Sequence, residues 1–411
     1  MLTRRYVLAG SGALALAPGL RAYAAPGEAQ AGAPILVVLF LRGGMDSLGV
    51  VAPVDDRDYV ADRPAEMRLL ADGDKPALRL DGAPAGHDFR LHPQMAELHE
   101  LYRDKRLALV HACGLANGTR SHFEAQELIE RGVARADGAT AVRGGWMTRW
   151  LASVGQGNAP AFAAIPGVPE ELAEHADTVC AADLRYGMNL PGGKQAASVL
   201  KNLYAHGNGP IEVAARRTLQ GIALVDGPLR LPDGKIAPYQ AGGGATYEDT
   251  EVGRGLGAVA RVIRMELGIR AFALDMGGWD THENQAPRLA NLAGQLSRAL
   301  HAFHTDLHDR LDRIVLVVMS EFGRRLRSNR SNGTDHGHAG VMMVSAPHIA
   351  GGRLHGPWPG LASPVLDNGV DLAMTTDIRS VLSELMTGPL ATPHAPATVF
   401  PAFTPKKVGL V

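Results

Sequence analysis

The run SEFGRRLRSNRSNGTDHGHAG, residues 320–340, follows directly on the apolar stretch Ile314 to Met319 and supplies Glu321, Asp335, His336 and His338. Carboxylate oxygens mixed with imidazole nitrogens suit zinc, manganese or iron. Glycines at 333, 337 and 340 let the chain turn tightly between those donors. Three other apolar runs are followed by similar groups: Ile35 to Leu41 by RGGMDS with Asp46, Leu107 to His111 by CGLANGTRSHFEAQ with Ser121 and His122, and Arg270 to Leu274 by DMGGWDTHEN with Asp280 and His282. Ligands of open α/β sheets bind outside the carboxyl ends of the strands, so Asp, Glu and His at four strand ends point to one shared rim. Arg42, Arg120 and Arg324 lie in the same loops and offer donors to an anion.

Each group also has a structural role to play. Asp46 can accept backbone N–H bonds in the Gly43-Gly44 turn. Ser121 and Glu124 form a capping box, S-x-x-E, ahead of the helical pattern FEAQELIERG, and a helix N-terminus also favours a bound anion. His301, His304 and His308 have a helical metal-binding spacing, but each stands one position past a residue of an apolar stripe, which predicts solvent beside the buried seam.

These residues need a scaffold, and the apolar runs supply it. The four runs and a fifth, Val341 to Ser345, lack polar alternation, as strands covered on both faces should. Leu289, Leu292, Leu296, Leu300, Phe303, Leu307 and Leu311 recur at helical steps between the third and fourth, and Val259, Val262, Ile263 and Leu267 mark a helix before the third. This order predicts an α/β fold: a doubly wound, mainly parallel sheet with helices on both faces. Proline and glycine become frequent over 151–244, which predicts an inserted cap region. Gly253, Gly255 and Gly257 follow no strand and lack the GxGxxG spacing, so they are read as a helix start and not as a nucleotide loop.

Arg4 and Arg5, a short mild apolar stretch and Ala22-Tyr23-Ala24 make residues 1–24 a twin-arginine signal peptide, with 25–33 a linker and 34–411 the folded domain. The expected partner in export is the twin-arginine translocase, and the expected destination is the periplasm or the exterior. Removing the three arginines of the signal leaves 38 basic against 42 acidic residues, a balance that gives no reason to expect nucleic acid or an anionic membrane as partner. No apolar run is long enough to span a bilayer, and the composition is 46% hydrophobic, ample for a large core. Cys113 and Cys180 are too few for a disulfide framework or thiolate zinc knuckles.

With the segments LFLRGGMDSLGVVAP, DYVADRP, TRSHFEAQ, GGWDTHENQ, SEFGRRLRSNRSNGTDHGHAG and TTDIRSVL in view, the chain resembles the exported bacterial proteins grouped as domain-of-unknown-function family 1501. That family in turn resembles the alkaline phosphatase and sulfatase superfamily. The resemblance implies an alkaline phosphatase-like fold and a two-metal site. Zinc or manganese is the expected ion, with calcium and magnesium as alternatives. It further implies that Asp46, Asp280, His282, Glu321, Asp335, His336 and His338 furnish metal ligands, that Ser121 attacks, and that Arg120 or Arg324 holds the anion. The activity it implies is metal-dependent hydrolysis of a phosphate or sulfate ester, with a small anionic ester or glycan as substrate. The competing class is a non-catalytic envelope protein that keeps the fold to bind a partner. An oxidoreductase is a third class, without a flavin, haem or molybdopterin signature behind it.

Overall fold

The computed structural model describes residues 32–135, 142–154, 160–188, 190 and 192–411. The segment expected to be a signal peptide and most of the expected linker lie outside these residues. Twelve strands are found among them: β1 Ile35–Leu41, β2 Val51–Pro53, β3 Leu78–Arg79, β4 Phe89–Leu91, β5 Ala108–Gly114, β6 Ala161–Ala163, β7 Thr178–Cys180, β8 Ala271–Met276, β9 Ile314–Ser320, β10 Gly340–Ser345, β11 Leu354–His355 and β12 Thr376–Asp377. All five apolar runs become strands; β1 keeps the bounds of its run, and the ends of β5, β8, β9 and β10 differ from theirs by one to three residues.

The main sheet runs β11-β5-β10-β9-β1-β8-β6-β7, with β12 also paired to β5. Central strand β1 pairs in parallel with β8, Leu36 opposite Ala271, and with β9, Ile35 opposite Ile314. Strand β10 runs antiparallel to both β5 and β9. The loop between β9 and β10 holds no crossover helix, so the chain leaves and re-enters the sheet at the same edge, which only an antiparallel pair permits. That reversal keeps residues 321–339 at the carboxyl end of β9. The smaller sheet, β2-β4-β3, is antiparallel.

Both faces of the large sheet are covered. Val37, Leu39 and Leu41 of β1 point into one apolar cluster, and Leu36, Val38 and Phe40 into another, all 0–1% exposed. The first cluster is closed by helices Glu251–Arg264 and Gln285–Asp306, whose Val259, Leu289, Leu296, Leu300 and Phe303 face the sheet. The second is closed by helices His122–Arg131, Trp146–Ser153 and Ile378–Thr387. The doubly wound, mainly parallel α/β reading therefore holds, and the Gly253-to-Gly257 segment is helical. Gly255 lets its helix approach strand β8, where an added Cβ would meet Leu274 at 3.2 Å.

The segment 151–244, expected as an inserted cap, contributes β6 and β7 to the main sheet, beside β8, before the helices Gly193–Leu203 and Pro210–Leu229. Its short strands AFA and TVC sit among prolines and glycines, which hid them in a pattern-based reading. His304 is another departure. Expected in solvent beside the buried seam, it is 4% exposed. No helix among the described residues is long and apolar enough to cross a membrane. Cys113 and Cys180 are free thiols.

Candidate metal centre

Three loops meet over the carboxyl ends of the central strands. The loop after β5 delivers His122, the first residue of helix His122–Arg131. The loop after β8 delivers Asp280 and His282, and the β9–β10 loop delivers His336. Close backbone approach makes this meeting possible. Gly43, at φ +119°, lies so near the Asp280 loop that an added Cβ would stand 2.3 Å from the Asp280 nitrogen. Gly333 lies against His282, where a Cβ would fall 2.2 Å from its carbonyl carbon. The start of helix Gln285–Asp306 is fastened to the same loop, since the N–H groups of Asn284 and Gln285 donate to the carbonyls of Ser331 and Asn332 at 3.1 and 2.9 Å. Backbone donors without partners inside the helix thus meet acceptors in the loop that carries His336.

Asp280 Oδ1 stands 3.0 Å from His282 Nε2, 3.2 Å from His336 Nε2 and 3.5 Å from His122 Nε2. His282 Nε2 and His336 Nε2 are 2.9 Å apart. His122, Asp280 and His336 each offer a donor atom within 4.8 Å of the others, a spacing that can hold a metal ion. The remaining ring nitrogens explain why these four face one another. His122 Nδ1 donates to Glu321 Oε1 at 2.8 Å, His336 Nδ1 to the Arg120 carbonyl at 2.8 Å and His282 Nδ1 to Asp335 Oδ1 at 3.3 Å. With Nδ1 protonated in each, as these acceptors assign it, the Nε2 lone pairs converge with the Asp280 carboxylate. Among them, His122 Nε2 is buried and meets no hydrogen-bond donor. Phe322, 2% exposed, backs the cluster with its ring 4.9 Å from those of both His122 and His336.

Electrostatics keep the carboxylates ionised. Burial pushes the Asp280 carboxyl upward, but Arg324, helped by His336 and His282, outweighs it and holds the group at about 2. Burial likewise raises Glu321, and the hydrogen bonds from His122, its own backbone, Gln126 and Gly43 bring it below the usual glutamate value. The Glu321 bond raises the His122 imidazole, against an opposing effect of burial. Burial lowers His336, which favours the neutral imidazole that a metal requires.

Of the seven sequence-derived ligands, Asp280, His282 and His336 converge, and four do not. Glu321 lies behind His122, accepting from Gly43 N at 2.8 Å, Gln126 Nε2 at 2.9 Å and Ser320 Oγ at 3.0 Å. Asp335 lies behind His282 and also accepts from Asn329 Nδ2 at 3.2 Å. Asp46 is fully buried in an ion pair with Arg63, with Nη1 at 2.5 Å and Nη2 at 3.0 Å, and accepts from Gln285 Nε2 at 2.5 Å. His338 turns away, with Nε2 2.9 Å from the Leu115 carbonyl and Nδ1 3.4 Å from Asp367. One residue, Gly337, separates His336 from His338, and it lies so close to the neighbouring strand-end segment that an added Cβ would stand 2.6 Å from the Arg324 carbonyl carbon.

The expected anion clamp is also redistributed. Arg324 is fully buried and donates to the carbonyls of Gly44, Thr334 and Gly43 at 2.6–2.8 Å and to Asp280, so it ties the loops together. Arg120 is engaged by Asp371 and Asp367. Arg325 is the guanidinium left beside the cluster, 42% exposed, at 3.9 Å from Asp335 and 3.8 Å from Asp371. Ser121 is exposed and caps its helix by accepting the Glu124 N–H at 3.5 Å. His122, which the sequence places at the strand-end rim but not among the expected metal ligands, joins Asp280 and His336 in the converging group.

No curated protein matches the chain. Among solved structures, the zinc complex of the C-terminal periplasmic domain of EcEptC from Escherichia coli is similar at 9% identity, TM-score 0.33, covering 78% of this chain and 75% of that one. The phosphonate monoester hydrolase of Agrobacterium radiobacter is similar at 9% identity, TM-score 0.34, covering 87% and 73%. The lipoteichoic acid synthase LtaP from Listeria monocytogenes is similar at 7% identity, TM-score 0.26, covering 80% and 69%. Residues 246–383 match the model of a family described as protein of unknown function (DUF1501), and this stretch holds Asp280, His282 and His336, so the resemblance to that family extends to three of the four converging side chains.

Proposed function

We propose that the chain is an exported, metal-dependent hydrolase of a phosphate or sulfate ester, and that His122, Asp280, His282 and His336 hold its divalent ion. The observation that carries this reading is the convergence of three Nε2 atoms on one carboxylate, with every Nδ1 bonded to an acceptor. A nitrogen-rich set with one carboxylate favours zinc, with manganese next. The ion would polarise an ester oxygen and stabilise the charge that develops on it.

The chain's own groups do the rest. Ser121 lies at the start of the helix that carries His122, exposed to an incoming ester, and its oxygen would bond to phosphorus or sulfur as the alcohol leaves. The N–H groups of that helix start favour the transferred anion. Arg325, whose guanidinium donates no short hydrogen bond, is the cation available to hold it in place of Arg120 and Arg324. The twin-arginine segment would deliver the folded, metal-loaded protein to the periplasm or beyond, where a small anionic ester or glycan is the substrate.

The test is to strip the mature protein with chelator, reload it with zinc or manganese, and assay phosphate and sulfate esters. His122→Ala should lose both tight metal binding and hydrolysis. A parent protein that binds neither metal would overturn the reading. A parent that binds metal but hydrolyses no ester would leave the envelope binding protein as the function.

A further inference from the structure

The segment Leu366 to Leu372 turns tightly, with Asn368 and Gly369 at φ +50° and +70°, and the backbones of Asp367 and Asp371 bond each other across the turn at 2.8 and 3.1 Å. It lies against the loop that carries His336. Arg325 and Asp371 are antiparallel bridge partners, and the Leu326 N–H donates to the Val370 carbonyl at 3.2 Å. Directly opposed residues of such a pair put their side chains on one face, so the backbone itself brings Asp371 to Arg325.

We infer that Asp371 is a positioning residue: it aims the Arg325 guanidinium at the oxyanion of the ester. The inference rests on the proposed hydrolase reading, in which Arg325 holds that anion. Asp371 is 0% exposed, and its two oxygens differ. Oδ2 accepts from Arg120, through Nε at 2.9 Å and through Nη2. Oδ1 is buried and meets no hydrogen-bond donor. Arg120 makes no use of Oδ1, because Asp367 Oδ2 takes its Nη2 at 2.8 Å. The group facing Oδ1, at 3.8 Å, is Arg325 Nε, which is buried and equally without a hydrogen-bond partner. A buried donor and a buried acceptor left unpaired are a cost to the fold, and these two would satisfy one another after an approach of about 1 Å.

Guanidinium geometry says what that approach would do. Its N–H groups form a rigid planar fork, so fixing one of them fixes the direction of the others. With Nε directed to Asp371, the Nη pair is left for two oxygens of one phosphate or sulfate group. Asp335 Oδ2, 3.9 Å from Arg325 Nη1, is too distant for a hydrogen bond, and Asp335 is already occupied by His282 and Asn329. An anion entering between Arg325 and the converging histidines would take the Nη edge, and Asp371 would secure the opposite one.

The test uses zinc-loaded mature protein with inorganic phosphate as the probe, read by calorimetry, and zinc content measured on the same samples. In Asp371→Asn the amide oxygen can still accept from Arg120, while the amide nitrogen faces Arg325 Nε, donor against donor. Zinc content should stay at the parent level and phosphate affinity should fall by about 10-fold or more, the worth of one hydrogen bond to a charged group. Arg325→Ala should lose at least as much. Adding Asp371→Asn to it should weaken phosphate by less than about 2-fold further, because no guanidinium is left to aim. Phosphate binding in Asp371→Asn equal to that of the parent, additive losses in the double variant, or a loss of zinc would overturn the inference and leave the hydrolase reading in place. A zinc-loaded parent that binds no phosphate would overturn both. Should Asp371→Asn fail to fold, the readout is the Arg325 Nε–H resonance of the parent, assigned by its absence from Arg325→Lys. Phosphate should move it downfield and slow its exchange with solvent as it reaches Asp371, and an unmoved signal would overturn the inference.

Discussion

Asp46 separates a ligand read from sequence from a fastening seen in the fold, and Asp46→Asn tests which it is. Both Asp46 and Arg63 have side chains that are 0% exposed, joined by two hydrogen bonds at 2.5 and 3.0 Å. Asparagine keeps the shape and removes the charge, so the Arg63 guanidinium stays buried without its counterion. Removing one partner of such a pair costs about 3–5 kcal/mol. Arg63 also donates to the carbonyls of Leu326 and Arg325, each at 3.2 Å, and these neutral acceptors soften the loss toward the lower end of that range. A drop of about 3 kcal/mol moves a denaturation midpoint by about 1 M at a slope of about 3 kcal/mol/M. The assay is denaturant unfolding at constant slope, paired with metal content on the same preparation. The expected result is a lower midpoint with unchanged metal stoichiometry, and Asp46→Leu with Arg63→Met should recover part of the stability. An Asp46→Asn protein as stable as the parent but depleted of metal would refute the reasoning and restore Asp46 as a ligand.

Three further outcomes follow from named contacts. Glu321→Gln replaces the ionised acceptor of His122 Nδ1 and should weaken metal binding by about 10- to 100-fold in a chelator competition. Ser121→Asn should melt like the parent and Ser121→Ala should lose only about 0.5 kcal/mol, given the long 3.5 Å cap bond. If Ser121 is the nucleophile, both variants lose ester hydrolysis, whereas a retained rate in the asparagine variant would assign attack to water. Glu171 is fully buried and pushed far above the usual carboxyl range by burial and then by Glu130, with Arg42 opposing. Its folded-state pKa exceeds its unfolded one, so the stability it contributes is full below about 4.5 and is lost as pH rises toward the folded value. Denaturation midpoints from pH 5 to 8 should therefore fall more steeply in the parent than in Glu171→Gln, and parallel profiles would contradict this.

What sequence determines here is what local pattern carries. An apolar run such as Ile35 to Leu41 has to be buried on both faces, and the leucine stripe from 289 to 307 can hide only as one side of a helix, so strands, helices and their alternation are legible without coordinates. The strand-end rule then brings the right loops together, because parallel strands all finish at one edge. Tertiary structure decided which atoms face each other within that rim. Nothing local distinguishes Asp46 from Asp280, but Arg63, seventeen residues after Asp46, reaches back to enclose the first, while the second stays open beside three imidazoles. The rank of Glu321 and Asp335 behind His122 and His282 is likewise set by contacts across 199 and 53 residues of chain. The strands β6 and β7 escaped notice for the same reason: three residues of pattern carry little signal, and only pairing with β8 gives them their place. Side-chain chemistry and spacing fix which groups could serve a metal, and long-range packing fixes which of them converge and which hold the converging ones still.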